Sequence, residues 1–448
     1  DHLIGENYFL RAVAHLSLCN LFATPYSRGA DKLGVVIRTS TDVSETKRAT
    51  VGKVYEQIEN DLKDAMRLMK DGTPRGNKGY ASYDAARGLL SRVYLYMGRN
   101  QECVDLCDEM LGTNPAAHLA TDYETYFANA VDSEETLWCI AKTINEPSFV
   151  GSDQGQLASM YYKYRPGDPG NDVPCWCQIY WSDPLMDLLL RHPEDARTYH
   201  LCYYGLKNDG KKIVYWPDPE SGKARGKIIV YDVAFDDNLT ENTITYGGKS
   251  YTVKTTTISG FPAYYIEGMY TDAVDQDDIE NGTRCYVREN IDFKQGVYAG
   301  FPMYGMSKFS FQDGKSALSS PVMIRWAEVI LNRAEANAKL GNDQAALDDV
   351  NVIRTRAKLS GDALWTMTNF AGKYNSVLDI VLDERRLELC FEGHRAIDVY
   401  RNGLNLDRRA GGIHDYEIIT PDQMDLRYPY CIPYSELSVS GIQPNPKQ

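Results

Sequence analysis

At 448 residues, with 43% hydrophobic and 25% charged side chains, the chain is long and apolar enough to bury a large core, which excludes extensive disorder. Its 48 Lys and Arg are outweighed by 62 Asp and Glu, a formal charge of −14, and no basic run offsets a mean field that repels phosphate backbones, so nucleic acid is not an expected partner. No apolar stretch approaches the ~18 residues needed to cross a bilayer as a helix.

The chain opens at Asp1-His2-Leu3, already close to a helical pattern, as a processed or truncated start would; a leader or lipid-bearing Cys would precede it. From Thr50 onward Val54, Ile58, Leu62, Ala65 and Met69 recur every three or four residues and predict an amphipathic helix. Ser82 suits the N-cap of the next, whose stripe is Ala85, Leu89, Val93 and Tyr96 and whose end is Gly98. A further helix carries Val104, Cys107 and Leu111 on one face.

The middle, 145–320, is rich in Gly, Pro, Asp and aromatic residues. There Thr243-Ile244-Thr245-Tyr246 and Lys249-Ser250-Tyr251-Thr252-Val253 flank Gly247-Gly248, which predicts a two-residue hairpin. Helical grammar returns with Ile324, Ala327, Leu331, Ala334 and Ala338, a stop at Gly341, and a restart at Ala346, Val350 and Ile353. Met97-Gly98-Arg99-Asn100-Gln101-Glu102-Cys103 and Leu340-Gly341-Asn342-Asp343-Gln344-Ala345-Ala346 match in form. Each is a helix end, a glycine, a polar turn and a small residue on the next helix, as in tetratricopeptide-like helix pairs. A last helix starts at Ser376 with Asp379 three residues on, carries Ile380, Glu384, Leu387 and Phe391, and fades near Asn402-Gly403.

The ten cysteines are scattered. Cys103 and Cys107 share a helix face and Cys175 and Cys177 stand two apart, but no second pair completes a zinc site, so buried free thiols are expected and no metal. Asp272, Asp275, Asp277, Asp278 and Glu280 lack the spacing of a calcium loop and read as a solvated segment. No cofactor motif is present.

Several stretches, in order, resemble the SusD/RagB family. They are Gly5-Glu6-Asn7-Tyr8-Phe9-Leu10-Arg11-Ala12, the helix from Ala86 to Gly98, the segment from Ile324 to Ala336 running on to Val350–Ala357, and Glu384-Arg385-Arg386-Leu387-Glu388-Leu389-Cys390-Phe391-Glu392-Gly393-His394-Arg395 with Asp398. The tail, Ile432-Pro433-Tyr434-Ser435-Glu436-Leu437 with Asn445-Pro446, is also similar to the family's ending. The resemblance implies a mainly α fold, one SusD-like domain over 1–448. Its helical scaffold would be 1–144 and 321–410, its loop-rich, partly β, ligand-binding segment 145–320, and its tail 411–448. It further implies a lipid-anchored protein on the extracellular face of the outer membrane. Such a protein captures oligosaccharide for a SusC-like TonB-dependent transporter. In the family a longer segment, with the lipid-bearing Cys and often one wall of the ligand site, precedes the first helix; this chain starts without it.

The cluster of Glu384, Glu388, His394 and Arg395 has a catalytic look, yet these residue types more often form a buried hydrogen-bonded network, and the resemblance assigns them to scaffold. No motif pairs two carboxylates as a glycosidase would, so the chain reads as a binding protein and not an enzyme. A peptide-capturing member of the family is the alternative, and a carbohydrate-active enzyme the alternative of another class. Sugar binding asks for flat apolar faces and a few planar polar groups. Trp176 and Trp181, around Asn171 and Asp172 and just before a helix at Ser182-Asp183-Pro184, meet that need, and the resemblance puts Trp176 where family members stack a glycan. Tyr161, Tyr162, Tyr164 and Arg165 add stacking and a bidentate donor. Trp216, in Tyr215-Trp216-Pro217-Asp218, is a further candidate, whereas Trp138, Trp326 and Trp365 read as core.

Overall fold

Helix α1 (His2–Phe22) buries Phe9, Ala12, Leu16 and Cys19 against α2 (Val51–Met69), where Val54, Ile58, Leu62, Ala65 and Met69 form the expected stripe. The two axes come close because residue 5 is glycine: a Cβ there would lie 2.6 Å from Met69 Cγ and 3.1 Å from the Ala65 carbonyl oxygen. This computed structural model describes residues 1–42, 44–73, 75–145, 179–202, 206–207, 212–218, 227–233, 235–236, 238–246, 248–258, 260–267, 283–288, 290–291, 304–315, 318–408 and 417–445.

Helix α3 (Tyr83–Met97) starts at Ser82, whose hydroxyl accepts from the Ala85 amide at 3.1 Å, and ends in left-handed Gly98. Helix α4 (Asn100–Leu111) folds back on it. After helix α5 (Asp183–Leu189), the design repeats in α6 (Trp326–Leu340), left-handed Gly341 and α7 (Asp343–Arg356). The small residues Cys103 and Ala346 are fully buried where the paired helices meet. Although far apart in sequence, the two pairs share one core: Leu90 and Val93 lie in the same cluster as Ala327, Ile330 and Leu331, and Asn332 donates to the Ser91 hydroxyl at 3.0 Å. Strand β1 (Thr136–Cys139) ties the halves together through an antiparallel pairing with residues Val322–Arg325, which lead straight into α6.

Ser376 caps α8 (Val377–Glu388) by accepting from the Asp379 amide. The predicted single helix to about residue 402 is, however, broken: Phe391 and Gly393 take left-handed φ of 65° and 84°, and a separate α9 (Arg395–Arg401) follows. Phe391 accepts that uncommon backbone while its ring meets Trp181 edge-on at 5.4 Å.

The middle holds more regular structure than its composition predicts. Strands β2 (Lys212–Asp218), β3 (Lys227–Val233), β4 (Glu241–Tyr246), β5 (Lys249–Ile258), β6 (Phe261–Ile266) and β7 (Thr283–Arg288) form an antiparallel sheet in the order β3-β2-β7-β6-β5-β4. The predicted hairpin is present in register, with Tyr246 opposite Lys249 and Gly248 at φ 77°. Val214 and Trp216 of β2 share a cluster with Ile244 on the far edge strand, so the sheet curls around its apolar face. The opposite face, carrying Tyr215 and Tyr286, packs on α5 with Trp181, Leu185 and Met186.

Candidate functional site

Seven of the predicted ligand contacts, Tyr161, Tyr162, Tyr164, Arg165, Asn171, Asp172 and Trp176, lie outside the described residues, as do the acids from Asp272 to Glu280. The other two are corrected by the structure. Trp216 is 0% exposed, because period-two alternation on β2 turns it, with Val214, into the curl of the sheet. Trp181 is 3% exposed, since its amide is held by the Tyr304 carbonyl at 3.0 Å and its ring fills the space between α5 and Phe391. Neither ring has a face left for a ligand. Trp138, Trp326 and Trp365 are buried, as expected of core residues.

The surface that remains is an open cleft of about 840 Å³ between the helical scaffold and the curled sheet. Helix α5 supplies Pro184, Met186 and Asp187 to its rim, and the chain reaches α5 directly from 146–178. Phe261 and Tyr264 of β6 and Tyr304 give it aromatic lining. Arg191, Lys212, Arg284, Arg288 and Arg386 give it positive charge, and among the described residues Asp187 is the one carboxylate on its wall.

Alternation along β7 explains part of this. Cys285 and Val287 join the interior cluster, so Arg284, Tyr286 and Arg288 point the other way, toward α5. Asp187 then accepts from Arg288 at 2.5 Å and from Arg284 at 3.2 Å. One turn earlier Asp183 is fully buried beneath the cleft, taking a hydrogen bond from the Tyr215 hydroxyl. Burial pushes its carboxyl up to about 6, against the opposing pull of Arg288. Arg191 lies over the Phe261 ring at 3.9 Å and donates to the Tyr374 hydroxyl at 2.9 Å, and Tyr374 in turn donates to Asp383.

Arg386 is different. Half-buried on the cleft side of α8, it has no hydrogen bond or ion pair among the described residues. Burial, and then the like charge of Arg395, lower its guanidinium to about 10.

The signature residues on the other side of α8 are locked together. Glu384 accepts from Arg197 at 2.6 Å and from Arg354 at 2.9 Å, and Arg197 also holds Asp195. Glu388 pairs with Arg325 at 2.6 Å and with Arg356. Arg325 reaches Glu135 and Glu392, both at 2.8 Å, and Lys308 closes the circuit on Glu392 at 2.7 Å. Five cations thus meet five carboxylates, every one of them nearly inaccessible to water. Burial pushes the Glu392 carboxyl up, but Arg325 and Lys308 outweigh it and hold it at about 2. His394, buried beside Arg92 and Glu328, is lowered by burial to about 4 and so stays neutral. These groups form a buried, mutually paired network, in keeping with the scaffold assignment.

The cleft residues are what the sequence reasoning missed. For Arg284 and Arg288 a signal was present, the alternation in Thr283-Arg284-Cys285-Tyr286-Val287-Arg288 that places two arginines and a tyrosine on one face. Arg386 carried no separate signal inside the signature run.

Residues 145–440 match the profile described as the SusD family, and residues 1–95 match one described as starch-binding, associating with the outer membrane. A SusD-like protein of Formosa agariphila is 23% identical over 405 residues, 89% of this chain and 64% of that protein, so the chain spans less than two thirds of this relative's length. A solved SusD superfamily protein of Bacteroides thetaiotaomicron is 25% identical with a TM-score of 0.64, covering 99% of this chain and 77% of the other. A laminarin-binding SusD-like protein is 20% identical with a TM-score of 0.57, covering 99% of this chain and 78% of its own, a likeness of fold.

Proposed function

The chain belongs to the SusD family, and from that premise we propose that it captures oligosaccharide at the cell surface and passes it to a SusC-like TonB-dependent transporter of the outer membrane. Association with the outer membrane comes with the family matches. A lipid anchor on the extracellular face, borne by a segment ahead of residue 1, is the finer part of the proposal. The observation that carries the reading is the open cleft, lined by Phe261 and Tyr264 beside planar guanidinium groups. Flat apolar faces with a few fixed donors are what a sugar ring requires. The laminarin-binding fold neighbour supports a glycan ligand.

Binding without turnover is favoured by the distribution of acids. Glycoside hydrolysis uses two carboxyl groups facing the scissile bond. Here Glu384 and Glu388 are consumed by buried arginines, and Asp187 faces the cleft in the grip of Arg284 and Arg288. We assign the second wall of the site to the aromatic segment that feeds α5, with Trp176 as its stacking platform and Tyr161, Tyr162, Tyr164, Arg165, Asn171 and Asp172 around it. A shallow aromatic site gives micromolar to millimolar affinity, about −8 to −4 kcal/mol. Trp176→Ala therefore abolishes calorimetric binding of the preferred oligosaccharide with the thermal midpoint unchanged; retained affinity contradicts the assignment.

A further inference from the structure

A protein of net charge −14 has put, among the described residues, five cationic side chains and one carboxylate on the wall of this cleft. Elsewhere in its interior the arginines of the signature network are matched by carboxylates, as Arg197, Arg325 and Arg385 are. The cleft breaks that pattern at Arg386. A guanidinium removed from much of its water, with Arg395 and Arg191 as like-charged neighbours, is unfavourable unless something anionic completes it. The carboxylates of Asp383 and Asp187 act on it only from a distance, and among the described residues neither they nor any other group hydrogen-bonds or ion-pairs with it.

We infer that the cleft is completed by an anionic saccharide, whose carboxylate or sulfate ester seats on Arg386 while its ring lies along Tyr264 and Phe261. The inference rests on the glycan-capture reading and narrows it to acidic glycans. Arg386 comes from α8, Arg191 from just beyond α5, Arg288 from β7 and Lys212 from β2, so four separate parts of the fold bring positive charge to one cleft. Arginine's planar fork suits the two oxygens of a uronate carboxylate or of a sulfate ester equally. The cleft's volume of about 840 Å³ suits a short oligosaccharide. A long polyanion would be repelled by the rest of the surface. Asp187 and Asp183 hold Arg288 in place beneath the ligand, which leaves Arg386 as the group that distinguishes a charged sugar from a neutral one.

The test is calorimetric titration of the full chain with tetragalacturonate, a sulfated carrageenan tetraose, neutral laminaritetraose and a glutamate-rich hexapeptide, each at low and high salt. The inference expects at least one of the two acidic sugars to bind about tenfold or more tightly than laminaritetraose, with the difference shrinking in high salt. Whichever it is, uronate or sulfate, names the source of the charge. In Arg386→Ala the ratio of acidic to neutral affinity collapses toward one, and Arg386→Lys restores part of it; a purely structural role would weaken both ligands alike and leave the ratio unmoved. Equal binding of neutral and acidic sugars, or an unchanged ratio in Arg386→Ala, overturns this inference and leaves glycan capture standing. Binding of the acidic peptide with no sugar overturns glycan capture instead, and silence toward every probe overturns both.

Discussion

Arg385 and Arg386 are consecutive residues of one helix, and their surroundings are opposite. Arg385 is 1% exposed, ion-paired to Glu335 and Asp398 at 3.2 Å each, with Asn332 accepting a further hydrogen bond at 2.9 Å. Arg386, turned about 100° around the axis, lines the cleft with no partner among the described residues. The contrast extends to whole regions: behind α8 the buried Arg197, Arg325, Arg354, Arg356 and Lys308 are each matched by carboxylates, and in front of it Arg386 has no ion-pair partner among the described residues. Charge matching therefore separates the scaffold from the proposed binding surface where residue type alone does not.

The largest effect should come from breaking the matched side. Glu388→Gln leaves Arg325 and Arg356 facing each other without their shared carboxylate, and should cost about 3–5 kcal/mol in denaturant unfolding. A smaller and more discriminating effect lies in pH. The Glu392 carboxyl is held at about 2 against an ordinary 4.5, so its contribution is complete above 4.5 and is lost as pH falls toward 2. Asp183, beneath the cleft, has the opposite sign: raised from 3.8 to about 6, it favours the folded state most below 3.8 and loses that advantage as pH rises through 6. Unfolding free energies measured across pH should accordingly show Glu392→Gln flattening the acid limb and Asp183→Asn flattening the slope between about 4 and 6. If the two variants shift stability by the same amount at every pH, the distinction between the regions fails.

Much of the scaffold was legible because its signals are local. The Ser82 and Ser376 caps, the stops at Gly98 and Gly341, and the Tyr246–Lys249 hairpin each depend on a few consecutive residues. The break after Glu388 was not, since nothing short of the packing of Phe391 on Trp181 reveals that a phenylalanine takes a left-handed backbone. Trp216 misled for a related reason: beside Pro217 and Asp218 it reads as a loop residue, whereas pairing with β3 and β7 fixes its inward face. The cleft is the least legible part. It joins residues from α5, β2, β6, β7 and α8, and no periodicity in one segment announces that Arg191, Arg284 and Arg386 line one cleft. For the candidate contacts from Tyr161 to Trp176 the reading remains that of the sequence and the family.

The most direct measurement is a paired one, the unfolding free energy of Arg385→Ala and Arg386→Ala alongside their affinity for the preferred acidic sugar. Arg385→Ala should lose about 3–5 kcal/mol, because Glu335 and Asp398 lose a buried partner. Arg386→Ala should stay within about 0.5 kcal/mol of the parent in stability while losing its preference for the charged ligand. Comparable destabilisation by both substitutions, with ligand preference untouched in Arg386→Ala, would contradict the division of α8 into a scaffold face and a binding face.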